Sequence, residues 1–155
     1  MVGCGDLLTL HALYTKDTQV FDPSIEGKWE NADNSMVVTR EGDLYKVLLQ
    51  GRPVHGEPTK FELHLLDIQG VRFADLEAAD QIGHMILRVR HAGGQLQVAF
   101  MDSKWLRETV PHDEADIELG RKQAILTIST SELKKLVAKY AREEKAYDAE
   151  IVFKH

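Results

Sequence analysis

Seven histidines, 25 acidic residues and one cysteine are the groups in this 155-residue chain that could ligate a metal, move a proton or attack a substrate. Their spacing speaks against each chemistry in turn. His84 and His91 are seven apart, which places them on opposite faces of a strand, and His64 falls on the polar face of its own. No His-Glu-x-x-His or Cys-x-x-Cys run brings ligands onto one element. The histidines therefore read as surface or rim imidazoles, with no metal and no cofactor expected. The densest acidic run, Asp113, Glu114, Asp116 and Glu118 beside His112, offers oxygens to calcium. It lacks the glycine and the spacing of an EF-hand loop, and reads as a solvated loop. No serine sits in a Gly-x-Ser-x-Gly elbow. Gly3, Gly5, Gly93 and Gly94 form no phosphate cradle ahead of a helix. Asp67 and Asp75 fall near strand ends, where a carboxylate can be buried, but sequence does not reveal whether two of them face each other. No catalytic constellation emerges, so a binding or interaction protein is expected rather than an enzyme.

The elements that position these groups follow from length and pattern. A chain of 155 residues suits one domain. With 25 acidic residues against 19 lysines and arginines, the net charge is -6. That balance excludes the broad basic surface needed to displace counterions from nucleic acid, so no nucleic-acid partner is expected. No apolar run approaches the ~20 residues of a membrane span. The one cysteine, Cys4, excludes an intrachain disulfide.

Apolar alternation begins at Trp29 and recurs along the chain. Met36 to Arg40 reads as a strand, Glu41-Gly42-Asp43 as a turn, and Tyr45, Val47 and Leu49 as one face of the next strand. Pro53 and Pro58 bracket a loop, after which Phe61, Leu63 and Leu65 alternate with Glu62 and His64. Val71 and Phe73 share a face. Met85, Leu87 and Val89 alternate with Ile86, Arg88 and Arg90, and Leu96, Val98 and Phe100 return after Ala92-Gly93-Gly94. Ala124 to Ile128 supplies an eighth candidate strand. Short turns between successive strands make antiparallel neighbours and point to an all-β sandwich or barrel. A sheet wrapped around the final helix is the alternative fold.

Two segments break this period. Asp102 to Glu108 reads as a short helix. Ser129-Thr130-Ser131-Glu132 fits a capping box, and Leu133, Leu136, Val137, Tyr140, Ala141 and Tyr147 follow near one helical face. An amphipathic helix of about four turns is expected from Ser131 to Tyr147. Ile151 to Phe153 forms a short final strand.

This order, together with Gly27-Lys28-Trp29 at the head of the first strand, resembles the lipocalin and wider calycin barrels, whose Gly-x-Trp signature it matches. The resemblance implies an eight-stranded antiparallel barrel closed at one end by Gly27 and Trp29, with Arg121 as the basic side chain over the Trp. A closer resemblance is to a group of small bacterial lipoproteins. It rests on His11 to Asp17, Val20 to Trp29, Phe73-Ala74-Asp75-Leu76, Ser103-Lys104-Trp105-Leu106 and the final helix. In that group the mature chain begins at a lipidated cysteine. Gly3-Cys4, after the apolar Val2, looks like the end of a lipobox, in which small residues flank the scissile bond and the thiol accepts diacylglycerol. The implied chain has an extended segment over residues 1–25 and a barrel domain over residues 26–155. It is anchored to the bacterial cell envelope through lipid at Cys4, with an upstream signal segment of about 15–25 residues expected in the gene. The alternative is an ordinary cytoplasmic thiol near a start codon.

What such a barrel would do depends on its interior. Tyr45, Val47, Leu49, Phe61, Leu63, Leu65, Phe73, Met85, Leu87, Val89, Leu96, Val98 and Phe100 are expected to line it. Eight strands enclose a space that side chains can fill or that holds one small ligand. The first reading is a small apolar ligand bound inside. The second is an interaction module, meeting an envelope protein, in which the barrel is only a scaffold.

Overall fold

A computed structural model describes residues 7–119 and 124–155. Among them the strands are β1 (Leu7–Thr9), β2 (Gln19–Val20), β3 (Gly27–Glu30), β4 (Asn34–Glu41), β5 (Leu44–Gly51) and β6 (Thr59–Ile68). They continue as β7 (Val71–Ala78), β8 (Met85–Ala92), β9 (Gln95–Phe100), β10 (Ile117–Leu119), β11 (Ala124–Leu126) and β12 (Ile151–Lys154). Two α-helices, α1 (Ser103–Thr109) and α2 (Thr130–Lys139), interrupt the later strands. Strands β3 to β9 pair successively and antiparallel, β12 joins β9 to β3, and a β6–β7 ladder completes the ring. The fold is a closed eight-stranded antiparallel β-barrel, with β2 added outside on β6. The helices lie outside the wall, so the alternative of a sheet wrapped around the last helix is excluded.

Two apolar cores result. One is the barrel interior. The other lies against the outside of β6, β7 and β8, where Leu13, Leu66, Phe73 and Ile86 meet Leu106 of α1 and Leu133, Leu136 and Val137 of α2. These strands are consequently apolar on both faces, and five successive residues of β8, Met85 to Val89, are buried. Arg88 is among them. It keeps its charge on the outer face by pairing with Glu144 at 2.9 Å, its guanidinium 4.5 Å over the Tyr147 ring.

Local chemistry accounts for the helix starts. Asp102 Oδ1 accepts from the amides of Lys104 and Trp105, and Ser129 and Glu132 form the expected reciprocal cap. The end of α2 differs from expectation: it stops at Lys139, not near Tyr147. Helical spacing carries on past the stop because Ala141, Ala146 and Tyr147 still face the outer core. A one-turn 3-10 segment, Glu144–Ala146, instead reverses the chain so that β12 can enter the wall.

The eighth barrel strand also differs from expectation. Ala124 to Leu126 forms β11 of a separate three-stranded sheet, parallel to β1 and antiparallel to β10. The last place in the wall goes to β12, whose Ile151 pairs with Val98 and whose Lys154 pairs with both Gln95 and Glu30. Residues 7–25 are not a free extension. Leu13 is fully buried in the outer core, β2 lengthens the sheet, and the 3-10 turn Pro23–Ile25 lies against the end of the barrel where β3 begins.

Candidate functional site

The barrel interior holds a cavity of about 420 Å³. Its wall is made by the inward residues of alternate strand positions, among them Val47, Leu49, Phe61, Leu63, Leu65, Met85, Leu87, Val89, Leu96, Val98 and Phe100. All of these were anticipated from period-two alternation. Inward residues such as Leu63 and Val98 are only partly buried, since they face the cavity rather than packed neighbours. The polar residues of the lining, Asn34, Thr59, Asp80 and Gln81, gather where β4 and β6 begin and in the β7–β8 loop. That end is the mouth. Val54 and Ile82, 69% and 87% exposed, project from the two loops beside it.

The opposite end is closed. Trp29 is fully buried, its indole N–H donates to the Ile25 carbonyl at 2.8 Å, and its ring stacks on His155 at 3.7 Å. His91 meets it edge-on at 5.6 Å. Gly27, at φ +121°, begins β3 beside them, and a side chain there would be strained by the backbone while pointing at His155, 3.7 Å away. The residue stacked on the Trp is therefore His155. Arg121, expected in that role, lies outside the described residues, as does Cys4.

Two expected lining residues are placed elsewhere. Tyr45 points inward but sits below the cavity, where its hydroxyl accepts from the Asp22 amide at 2.8 Å and donates to the Asp22 carbonyl at 3.1 Å. Phe73 points out of the barrel, 6.2 Å from Tyr147 in the outer core. The inward residues of β7 are Ala74, Leu76 and Ala78. The second half of β7, Ala74-Asp75-Leu76-Glu77-Ala78, alternates and marks that face, whereas Val71 and Phe73 are apolar because the outer core meets the strand's other side. Small Ala74 and Ala78, where a Phe was expected, leave part of the space that the cavity occupies.

A second cluster lies on the outer face under the N-terminal segment. Asp75 is fully buried and accepts from His84 Nδ1 at 2.7 Å and from the Leu13 amide at 2.8 Å. Its cross-strand neighbour His64 stacks on Tyr14 at 3.8 Å, with its Nδ1 buried and unpartnered among the described residues. Glu77 stands 3.9 Å from His84 Nε2 and opposite Glu62 in the ladder. Among the described residues no group of three His, Cys, Asp or Glu is placed to hold a metal ion. His64 is thus not the surface imidazole expected: it is on the polar face, but Tyr14 covers it.

The two histidines respond oppositely to this setting. The hydrogen bond that His84 donates to Asp75 raises the His84 pKa against the effect of burial, with Glu77 adding to the rise. Burial lowers that of His64, opposed by Asp75, Glu62 and Glu77. A raised histidine contributes stability that is complete below its unfolded pKa of about 6.5 and is lost as pH rises through the folded value. A lowered one contributes above that pKa and loses it on acidification. A His64→Phe variant, which keeps an aromatic ring beside Tyr14, should lose urea stability from pH 5.5 to pH 8.5 more steeply than the parent. Parallel pH profiles would show that folding leaves the His64 pKa unchanged.

Comparison of the chain with protein-family models, curated proteins and solved structures finds no match. Fold and site together define a closed eight-stranded barrel with an apolar interior, sealed at a tryptophan end and polar-rimmed at the other.

Proposed function

We propose that the barrel binds a small apolar ligand, carried out as part of a lipid-anchored protein of the bacterial cell envelope. The observation that carries the ligand reading is the cavity itself. At about 420 Å³, with an almost wholly apolar wall, it falls within the range of roughly 300–1,000 Å³ typical of ligand pockets. Barrels of this strand number are otherwise filled by side chains. Polar groups confined to one end would orient a ligand with its apolar part inward. The competing interaction reading has less support. The exposed large apolar residues form only small groups, Val54 and Ile82 at the mouth and the cross-strand pair Val37 and Leu48 on the outer wall, and build no broad docking face.

Filling the cavity tests the reading. Val98→Trp adds bulk where the native side chain meets open space, so folding should survive while binding of the apolar dye Nile red weakens at least about tenfold. A tenfold loss corresponds to about 1.4 kcal/mol of lost binding free energy. Equal binding by parent and variant would place the dye outside the barrel and overturn the reading.

The envelope location rests on Gly3-Cys4 and on the resemblance to small bacterial lipoproteins. Protein expressed from its complete gene in a bacterial host should carry diacylglycerol on Cys4, and Cys4→Ser should release it from the membrane fraction. An unmodified thiol in the intact mass would instead favour the cytoplasm. Two acyl chains hold a protein stably, whereas one does so only marginally, so the number of chains found also matters.

A further inference from the structure

We infer, resting on the ligand-binding reading above, that the barrel selects a single-chain amphiphile whose polar end is uncharged or cationic, and discriminates against a carboxylate. The lining holds few polar side chains. Among the described residues it contains no lysine, arginine or histidine, and its one charged member is Asp80. Asp80 is exposed in the β7–β8 loop and forms no ion pair with the described residues. The basic groups of the loops and strands at this end are directed elsewhere: His84, in the same loop as Asp80, is turned to Asp75 on the outer face at 2.7 Å. Arg52, in the β5–β6 loop, is held by Glu30 at 2.9 Å. Lys60 alternates with the lining residues Thr59 and Phe61, which puts it on the outer face of β6.

The remaining rim groups suit a donor. Asp80 only accepts hydrogen bonds, while the Thr59 hydroxyl and the amides of Asn34 and Gln81 both give and accept. An alcohol or an ammonium can therefore be satisfied at the mouth while its chain runs inward toward Ile25 at the closed end. A carboxylate would meet no countercharge and would face the like charge of Asp80, an unfavourable contact at a rim with low-dielectric apolar walls. The length of apolar wall beneath the rim carries no polar group that could stop the chain.

Displacement of Nile red by dodecanol, dodecylamine and dodecanoate at pH 7.5, each below its aggregation concentration, tests this. The alcohol and the amine should bind about tenfold tighter than the acid, the ratio expected of one unfavourable charge contact at a partly wet rim. Asp80→Lys, at an exposed position without a partner, should fold normally and invert the order of amine and acid. Equal or tighter binding of dodecanoate to the parent protein would overturn the selectivity while leaving the cavity reading intact. So would an order of affinities that Asp80→Lys leaves unchanged. If neither the dye nor any of the three chains binds, the ligand reading fails and the selectivity falls with it.

Discussion

Replacing Asp75 with alanine should cost about 3–5 kcal/mol of folding stability, the range found when one member of a buried charged pair is removed. The carboxylate is fully buried, and it is the shared acceptor for two groups from distant parts of the chain, the Leu13 amide and His84 Nδ1. Without it, a buried backbone donor loses its partner, and such an orphan costs about 1–3 kcal/mol by itself. His84 also joins the β7–β8 loop to β1, since its backbone exchanges two 2.8 Å hydrogen bonds with Thr9. The loss should therefore spread to the N-terminal segment and the mouth loop together. Asp75→Asn keeps an acceptor for Leu13 and should fall between parent and alanine variant. Hydrogen exchange at Thr9, Leu13 and His84 would locate the effect, and urea unfolding would size it. A cost below about 1 kcal/mol would mean that water replaces the carboxylate and that the segment is not held by this contact.

Trp29→Ala should cost a comparable ~3–5 kcal/mol, as large aromatic truncations in cores do. The side chain has no exposure, and its loss removes the stack with His155, the edge contact with His91 and the hydrogen bond to Ile25. Trp29→Phe preserves a ring but not the N–H donor. Its smaller cost, about 1–2 kcal/mol, would report the unpaired Ile25 carbonyl and the lost ring volume. Urea midpoints with unchanged m-values would measure both. Because the Trp separates the cavity from solvent at the closed end, the alanine variant should also bind Nile red with altered affinity. A Trp29→Ala protein as stable as its parent would show that the barrel end does not depend on this residue.

Much of the barrel was legible because β4, β5 and β9 each meet an apolar interior on one side and a wetter environment on the other. Tyr45, Val47 and Leu49, or Leu96, Val98 and Phe100, announce their face by period two alone. The turns at Gly42 and at Gly93-Gly94, all at positive φ, were marked by residue type. The start of α2 was marked by a capping box that acts within three residues, and the Asp102 cap of α1 is equally local. Local patterns sufficed wherever the deciding contacts were local.

Other features depended on contacts between distant segments. Phe73 was assigned inward although Ala74, Leu76 and Ala78 hold that face, because the outer core makes the outward positions Val71 and Phe73 apolar as well. Likewise β11 was assigned to the wall in place of β12. Its three residues are apolar on both sides, and only pairing with β1, more than a hundred residues earlier, decides where it belongs. His64 looked solvated because nothing in its own strand reveals that Tyr14 covers it. The sequence by itself determined the β class, seven of the eight wall strands and most of the apolar wall. Those follow from which side chains water rejects and how often they recur. Tertiary structure decided that the interior is left partly empty, that its polar rim carries one acid and no base among the described residues, and that Asp75 is buried under the N-terminal segment. Each of those depends on which distant surfaces meet, and periodicity along one chain does not encode that.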